Sequence, residues 1–124
     1  MKIPIISVVI GEGASGGALG IGLGDKIICF ENTWYSVISP EGCASILFRD
    51  VSRAEEAADS MMVTAKDLKE LGIADTILPE PEGGSHFDYD QAASTLKQAI
   101  IDSILELNKI EPEKRILNRI VKFE

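Results

Sequence analysis

An α/β fold is predicted for this 124-residue chain by three observations. Short apolar runs rich in β-branched residues recur at 5–10, 26–30, 34–38 and 73–78. Segments with helical spacing and cap signals lie between and after them. A glycine-rich turn, Gly11 to Gly17, joins the first run to a short helix. The expected order is strand, turn, helix, strand, strand, three helices, strand, two helices, which is a mixed α/β pattern.

Each element has a local reason. Ile5–Ile10 is apolar, β-branched and closed by glycine, as a buried strand is. Ala18, Leu19, Ile21 and Leu23 then form a short helix. KIICF and WYSVI are strands two and three, parted by the polar turn Glu31-Asn32-Thr33. Ser39-Pro40-Glu41 starts a helix: serine caps, proline suits the first turn, and glutamate favours the positive end. Ser52 starts another, alanine-rich from Arg53 to Met62. Thr64 and Asp67 have capping-box spacing and open a helix that stops at Gly72. Ile73–Leu78 returns to strand, and Pro79–Gly84 is a loop. The longest helix runs from Tyr89 or Asp90 to about Asn108, with Leu96, Ile100, Ile104 and Leu107 as its apolar face. After Pro112 a last helix carries the stripe Ile116, Ile120, Phe123, which seeks a partner surface. No internal repeat is visible.

Composition narrows the function. The chain is 45% hydrophobic and 26% charged, ordinary for a globular domain with one core. A net charge of −8 argues against nucleic acid, whose phosphates need clustered Lys and Arg. Cys29 and Cys43 have no metal spacing and form no disulfide framework, so a reduced, cytoplasmic setting is expected. Lys2 and the apolar residues after it resemble a signal peptide only until Glu12 and the glycines interrupt. No stretch reads as a membrane span. The chain starts almost directly in a buried-looking strand, so more sheet than it supplies is expected.

The glycine turn admits three readings. Gly11-x-Gly13-x-x-Gly16 matches a dinucleotide fingerprint, with Glu31 placed as the ribose-binding acid. Against it, the helix would hold several glycines, each costing roughly 1 kcal/mol relative to alanine. Gly13-x-Ser15-x-Gly17 matches a nucleophile elbow, with His86, the one histidine, as base. The bland view, a small turn serine and a surface histidine, is preferred. In the third reading the backbone N–H groups of Gly16 and Gly17 form an oxyanion hole. A purely structural turn stands equal to it on the turn alone.

The wording then becomes specific. IISVVIGEGASGGALGIGLGDKIICFENTWYSVISPEGCASILFRD, continued by TAKDLKELGIADTILPEPEGGSHFDYDQAASTLKQAI, resembles the α-subunit family of the carboxyltransferase component of bacterial-type acetyl-CoA carboxylase. The resemblance implies a crotonase-like fold, a spiral of ββα units, here partial and followed by C-terminal helices. Residues 1–86 would be the C-terminal part of the carboxyltransferase core and 87–124 a helical segment. It implies transfer of a carboxyl group from carboxybiotin, held on a separate carrier protein, to acetyl-CoA, giving malonyl-CoA for fatty acid synthesis. Gly16 and Gly17 are the implied catalytic residues, their N–H groups holding the ureido oxygen of biotin. Gly13, Ser15, Pro40, Glu41 and Gly42 are the implied substrate-binding residues, and Glu41 is not assigned as a base. A carboxyltransferase β subunit in an α2β2-type assembly and the biotin carboxyl carrier protein are the implied partners. Family members also have a long N-terminal region before this strand. The β subunit's cysteine cluster is missing, so no zinc is expected. The alternatives are another crotonase-superfamily acyl-CoA enzyme and an assembly domain docking through its longest helix.

Overall fold

The computed structural model describes residues 1–124. The chain runs β1 (Ile6–Val9), β2 (Glu12–Ala14), α1 (Gly16–Gly22), β3 (Lys26–Phe30), β4 (Trp34–Ser36) and α2 (Pro40–Phe48). A 3-10 turn at Val51–Arg53 leads into α3 (Ala54–Ser60), α4 (Ala65–Glu70), β5 (Thr76–Leu78), α5 (Tyr89–Leu107) and α6 (Pro112–Lys122).

Two consecutive ββα units are present, β1-β2-α1 and β3-β4-α2. The first strands build one parallel sheet in the order β1-β3-β5, and the second strands pair as β2-β4. The registers Ile6 with Lys26 and Glu12 with Trp34 set the second unit about 20 residues after the first. This is the ββα repeat that the family resemblance implied, although the sequence shows no internal repeat. The two units share a path but not side chains. β1 and β2 each leave one edge unpaired within the chain.

β2 was expected to be part of the turn. Its residues Glu12, Gly13 and Ala14 have poor strand propensity. They are held extended because Gly13 lies opposite Tyr35 in the parallel ladder. β4 and β5 are also shorter than expected. Ile73 and Ala74 donate their N–H groups to Leu68 O at 2.9 and 3.0 Å, closing α4 before β5 begins.

β3 is buried on both faces, which is why it reads as an unbroken apolar run. Ile27 and Cys29 pack with Ala65, Leu68 and Ala74 beneath α4. Ile28 and Phe30 pack with Leu78 and Ala92 beneath α5. Burial raises the Cys29 thiol, a hydrogen bond with Thr33 opposes this, and nearby Asp75 adds to it. Cys29 is thus a neutral core residue.

Helix starts follow their signals. Ser39 Oγ accepts from Gly42 N–H at 3.2 Å, and Thr64 and Asp67 complete a capping box. The segment after Ser52 differs. Asp50 caps the 3-10 turn and α3 begins only at Ala54, with no side-chain cap.

α5 docks through part of its expected face, with Leu107 buried and Leu96 packed on the core, whereas α6 docks on a face other than the expected one. α5 buries Ala92, Ser103 and Leu107, with Leu96 and Ala99 packed beside them. Ile104 is left 39% exposed. Small residues let the helix approach the sheet, so the large apolar side chains do not alone mark its contact line. α6 meets the body through Arg115, Arg119 and Lys122. Arg119 forms a bidentate pair with Asp25 (2.9 and 2.7 Å), and Lys122 pairs with Asp75. Arg115 Nη1 donates to Leu107 O at 2.9 Å. Ile120 and Phe123 of the expected stripe remain exposed.

Candidate functional site at the glycine turn

β2 and β4 run parallel, so both open into helices at the same edge of the pair. α1 starts after Ser15 and α2 starts after Ser39. Gly13, Ser15, Gly16 and Gly17 therefore lie at the carboxyl edge that also carries Pro40, Glu41 and Gly42. Two helix starts thus follow neighbouring strands; Ser15 Oγ caps the Gly17 N–H and Ser39 Oγ the Gly42 N–H, and the first-turn amides have no partner within their own helices. Gly16, Gly17 and Glu41 are exposed, and Pro40 and Gly42 are half-buried.

The backbone at Ser15 is strained, with φ 94° and ψ 169°. That region is essentially reserved for glycine and costs about 1–3 kcal/mol for another residue. Three bonds hold Ser15 there. Its N–H donates to Ser36 O at 3.1 Å, its carbonyl accepts from Leu19 N–H at 3.2 Å, and its Oγ accepts from Gly17 N–H at 3.3 Å. The strain turns the chain sharply at the end of β2 and aims the first amides of α1 away from the strand.

The glycines here separate into two kinds. A Cβ on Gly13 would lie 2.8 Å from Tyr35 Cδ2, so Gly13 is required by packing. A Cβ on Gly16 would meet nothing within 4 Å, and one on Gly17 only Ser15 Oγ at 3.5 Å. Neither has positive φ. Nothing inside the chain demands glycine at 16 or 17. What their bareness provides is room for a group from outside to approach the amides.

An apolar cavity of about 360 Å³ lies behind the turn, lined by Val8, Ile10, Gly13, Ala18, Ile21 and Tyr35 among others. Gly16, Gly17, Pro40, Glu41 and Gly42 do not line it. The rival readings lose their geometry. Gly13 sits inside a strand rather than in the turn a dinucleotide fingerprint needs. Glu31 Oε1 accepts from Glu80 N–H at 2.8 Å and is occupied structurally. His86 lines a separate polar cleft with Glu31, Glu80 and Ser85, while Ser15 does not line that cleft. Its ring packs against Phe87 at a tilt of 50°, 4.5 Å between centroids. No group of three or more His, Cys, Asp or Glu side chains is gathered to hold a metal.

Sequence reasoning missed Tyr35. The available signal was its place midway along WYSVI, where alternation sets it on the opposite face from Trp34 and Ser36. It missed Glu80 too. Ser85 Oγ donates to one Glu80 oxygen at 2.5 Å and Asn32 to the other, tying the 79–86 loop to the end of β3. These bonds, Ser85 first, hold the Glu80 carboxyl below its ordinary range. Its pKa is lower folded than unfolded, so its stabilisation is present above the unfolded value and lost as pH falls through the folded one. Wild type is therefore expected to lose stability as pH drops below about 4.5. Glu80→Gln should show a smaller loss in thermal melts over that range; an equal loss would contradict this.

The comparisons with known proteins agree with this architecture. The chain matches the family model described as acetyl co-enzyme A carboxylase carboxyltransferase-like over residues 1–124. It is 50% identical over 123 residues to the acetyl-coenzyme A carboxylase carboxyl transferase subunit alpha of Chlorobium luteolum, covering 99% of this chain and 37% of that protein. The protein of the same description from Thermus thermophilus is 46% identical over 123 residues, covering 99% and 39%. The chain thus spans under two fifths of the length of these curated relatives. A solved Pseudomonas malonate decarboxylase hetero-tetramer in complex with coenzyme A aligns at a TM-score of 0.58 and 22% identity, covering 81% of this chain and 41% of that one. That likeness carries the fold, which is α/β and crotonase-like. With a full-length family match, relatives near 50% identity and two ββα units, the chain belongs to the acetyl co-enzyme A carboxylase carboxyltransferase-like family.

Proposed function

We propose that this chain works as part of an acetyl-CoA carboxylase carboxyltransferase α subunit, moving a carboxyl group from carboxybiotin to acetyl-CoA to give malonyl-CoA. The observation that carries the reading is the bare pair Gly16-Gly17 at the exposed start of α1, beside which a side chain would meet nothing but Ser15 Oγ. When bound, carboxybiotin supplies the carboxyl group and leaves an anionic ureido oxygen behind. The Gly16 and Gly17 N–H groups suit that oxygen, because fixed dipoles at a helix start stabilise charge as it develops. Gly17 exchanges its bond to Ser15 Oγ for the ligand. Ser15 and Gly13 set the turn, while Pro40, Glu41 and Gly42 shape the neighbouring helix start. None of these residues has to titrate.

Residues 1–86 are the core portion of this assignment and 87–124 the helical segment laid against it. The partner is a β subunit, in an α2β2-type assembly served by a biotin carboxyl carrier protein in the cytoplasm. Surface area supports a partner. The chain exposes 7908 Å², whereas a globular monomer of its mass would expose about 6,500 Å². The difference exceeds the roughly 800 Å² that each side of a standard interface buries. Exposed Ile46, Leu47, Leu117 and Val121 add apolar area to that surface. No helix is long and apolar enough to cross a membrane.

The same surface fits an assembly domain without activity. Mixing the chain with a β subunit separates the two readings. A heavier complex that turns over supports carboxyl transfer; a heavier complex without turnover refutes it and favours assembly.

A further inference from the structure

α1 has a conflict built into it. Four of its seven residues are glycine, in the run GGALGIG. So short and glycine-rich a helix has little tendency to form on its own. Only Gly22 is buried among its residues, so its own side chains scarcely anchor it. Yet its first amides must keep their position if they are to receive an anion.

Tyr35 supplies the anchor. It stands at the centre of β4, opposite Gly13 of β2. Its ring lies over Gly13, where a Cβ would come within 2.8 Å of Cδ2. It continues beneath α1 to Gly22, where a Cβ would come within 3.1 Å of Cζ and closer still to the hydroxyl. The hydroxyl donates to Ala18 O at 2.5 Å. Ala18 follows Gly17 directly, so this bond fixes α1 two peptide units from the Gly17 N–H. Burial, and then Cys29 nearby, raise the phenol above its ordinary value, so the hydroxyl remains a donor. Gly13 and Gly22 are bare because the Tyr35 side chain occupies their space, whereas Gly16 and Gly17 are bare toward the outside.

We propose that Tyr35 is a positioning residue that sets the height of α1 on the β2-β4 pair and so fixes the Gly16 and Gly17 amides. The inference rests on the carboxyl-transfer reading for its functional consequence and on the geometry alone for its structural one.

The test uses Tyr35→Phe, Gly22→Ala and the double variant, with two readouts. The first is amide hydrogen exchange in the chain. Loss of one part-buried hydrogen bond should speed exchange in α1 by about fivefold and leave β3 unchanged. The second is carboxyl transfer in the assembly with a β subunit. Tyr35→Phe should lower kcat by about tenfold or more with KM for malonyl-CoA unchanged, because small misplacements of a catalytic group are costly. Gly22→Ala should be milder in the Tyr35→Phe background, where the hydroxyl no longer opposes the new methyl group. Unchanged α1 exchange in Tyr35→Phe, an unchanged kcat in an active assembly, or an equal effect of Gly22→Ala in both backgrounds would each overturn the proposal. A wild-type assembly without turnover would refute the carboxyl-transfer reading instead, and the exchange measurement would still decide the role of Tyr35.

Discussion

Gly17→Pro is expected to lower kcat for carboxyl transfer by about 10²- to 10³-fold, the usual loss when one oxyanion donor is removed. The substitution is local in kind. Residue 17 is the second residue of α1, where proline is tolerated because its missing N–H has no intrahelical acceptor. A new Cβ there meets only Ser15 Oγ at 3.5 Å, an ordinary contact. The Ser15 Oγ cap is lost with the donor, so the turn is loosened locally, while the β1-β3-β5 sheet does not use that bond and should persist. Gly17→Ala keeps the N–H and separates loss of the donor from loss of space. Circular dichroism and the thermal midpoint, measured beside the rates, show whether each variant is folded. Normal turnover in a folded Gly17→Pro would remove the backbone amide from the mechanism.

Asp25→Ala is expected to be the most destabilising single change, at about 3–5 kcal/mol. The Asp25 side chain is 3% exposed and its partner Arg119 14%. Besides the bidentate pair, Asp25 Oδ2 accepts the Ile5 N–H at 2.7 Å. Removing the carboxylate leaves a nearly buried guanidinium without a counter-charge, bonded only to the Ile3 carbonyl, and the Ile5 amide before β1 without its acceptor. Against a total stability of about 5–15 kcal/mol, that loss is severe. The pair Lys2–Glu113 is the control, because its side chains are 73% and 71% exposed. Glu113→Gln should change stability by under about 1 kcal/mol. Urea titrations of both variants decide the matter. A loss below about 1 kcal/mol for Asp25→Ala would mean that the clamp on α6 contributes little.

Asp25 also shows where sequence reasoning stops. It precedes β3, as Asp75 precedes β5, and each carboxylate receives an amide at the start of the neighbouring strand: Ile5, just before β1, for Asp25, and Ile27, second in β3, for Asp75. The device repeats, yet Gly24-Asp25-Lys26 and Ala74-Asp75-Thr76 look like ordinary polar turns. Their meaning depends on which strand lies alongside, and that is non-local. The same holds for α6. Its apolar stripe was legible, but the sheet edge it meets carries Asp25 and Asp75, so the basic face docked. β2 was illegible because Gly13 is extended only by virtue of Tyr35 across the ladder. By contrast, β3, the Ser39 cap and the Thr64–Asp67 box were legible because their causes are local.

The candidate site divides in the same way. A helix start after a strand marked Gly16 and Gly17 as donors from the residues alone, and the family resemblance supplied what they would hold. The strain at Ser15 and the support from Tyr35 were hidden, since each depends on backbone angles or on packing across two strands. The competing motifs were legible too, and only geometry removed them: Gly13 lies in a strand, and His86 lines a different cleft from Ser15.

The most direct measurement is carboxyl transfer between malonyl-CoA and a free biotin derivative, with this chain mixed with a carboxyltransferase β subunit. Transfer above the β-subunit background, abolished by Gly17→Pro, is the result the account predicts. Transfer no faster than the β subunit alone, from a complex that has demonstrably assembled, would contradict it.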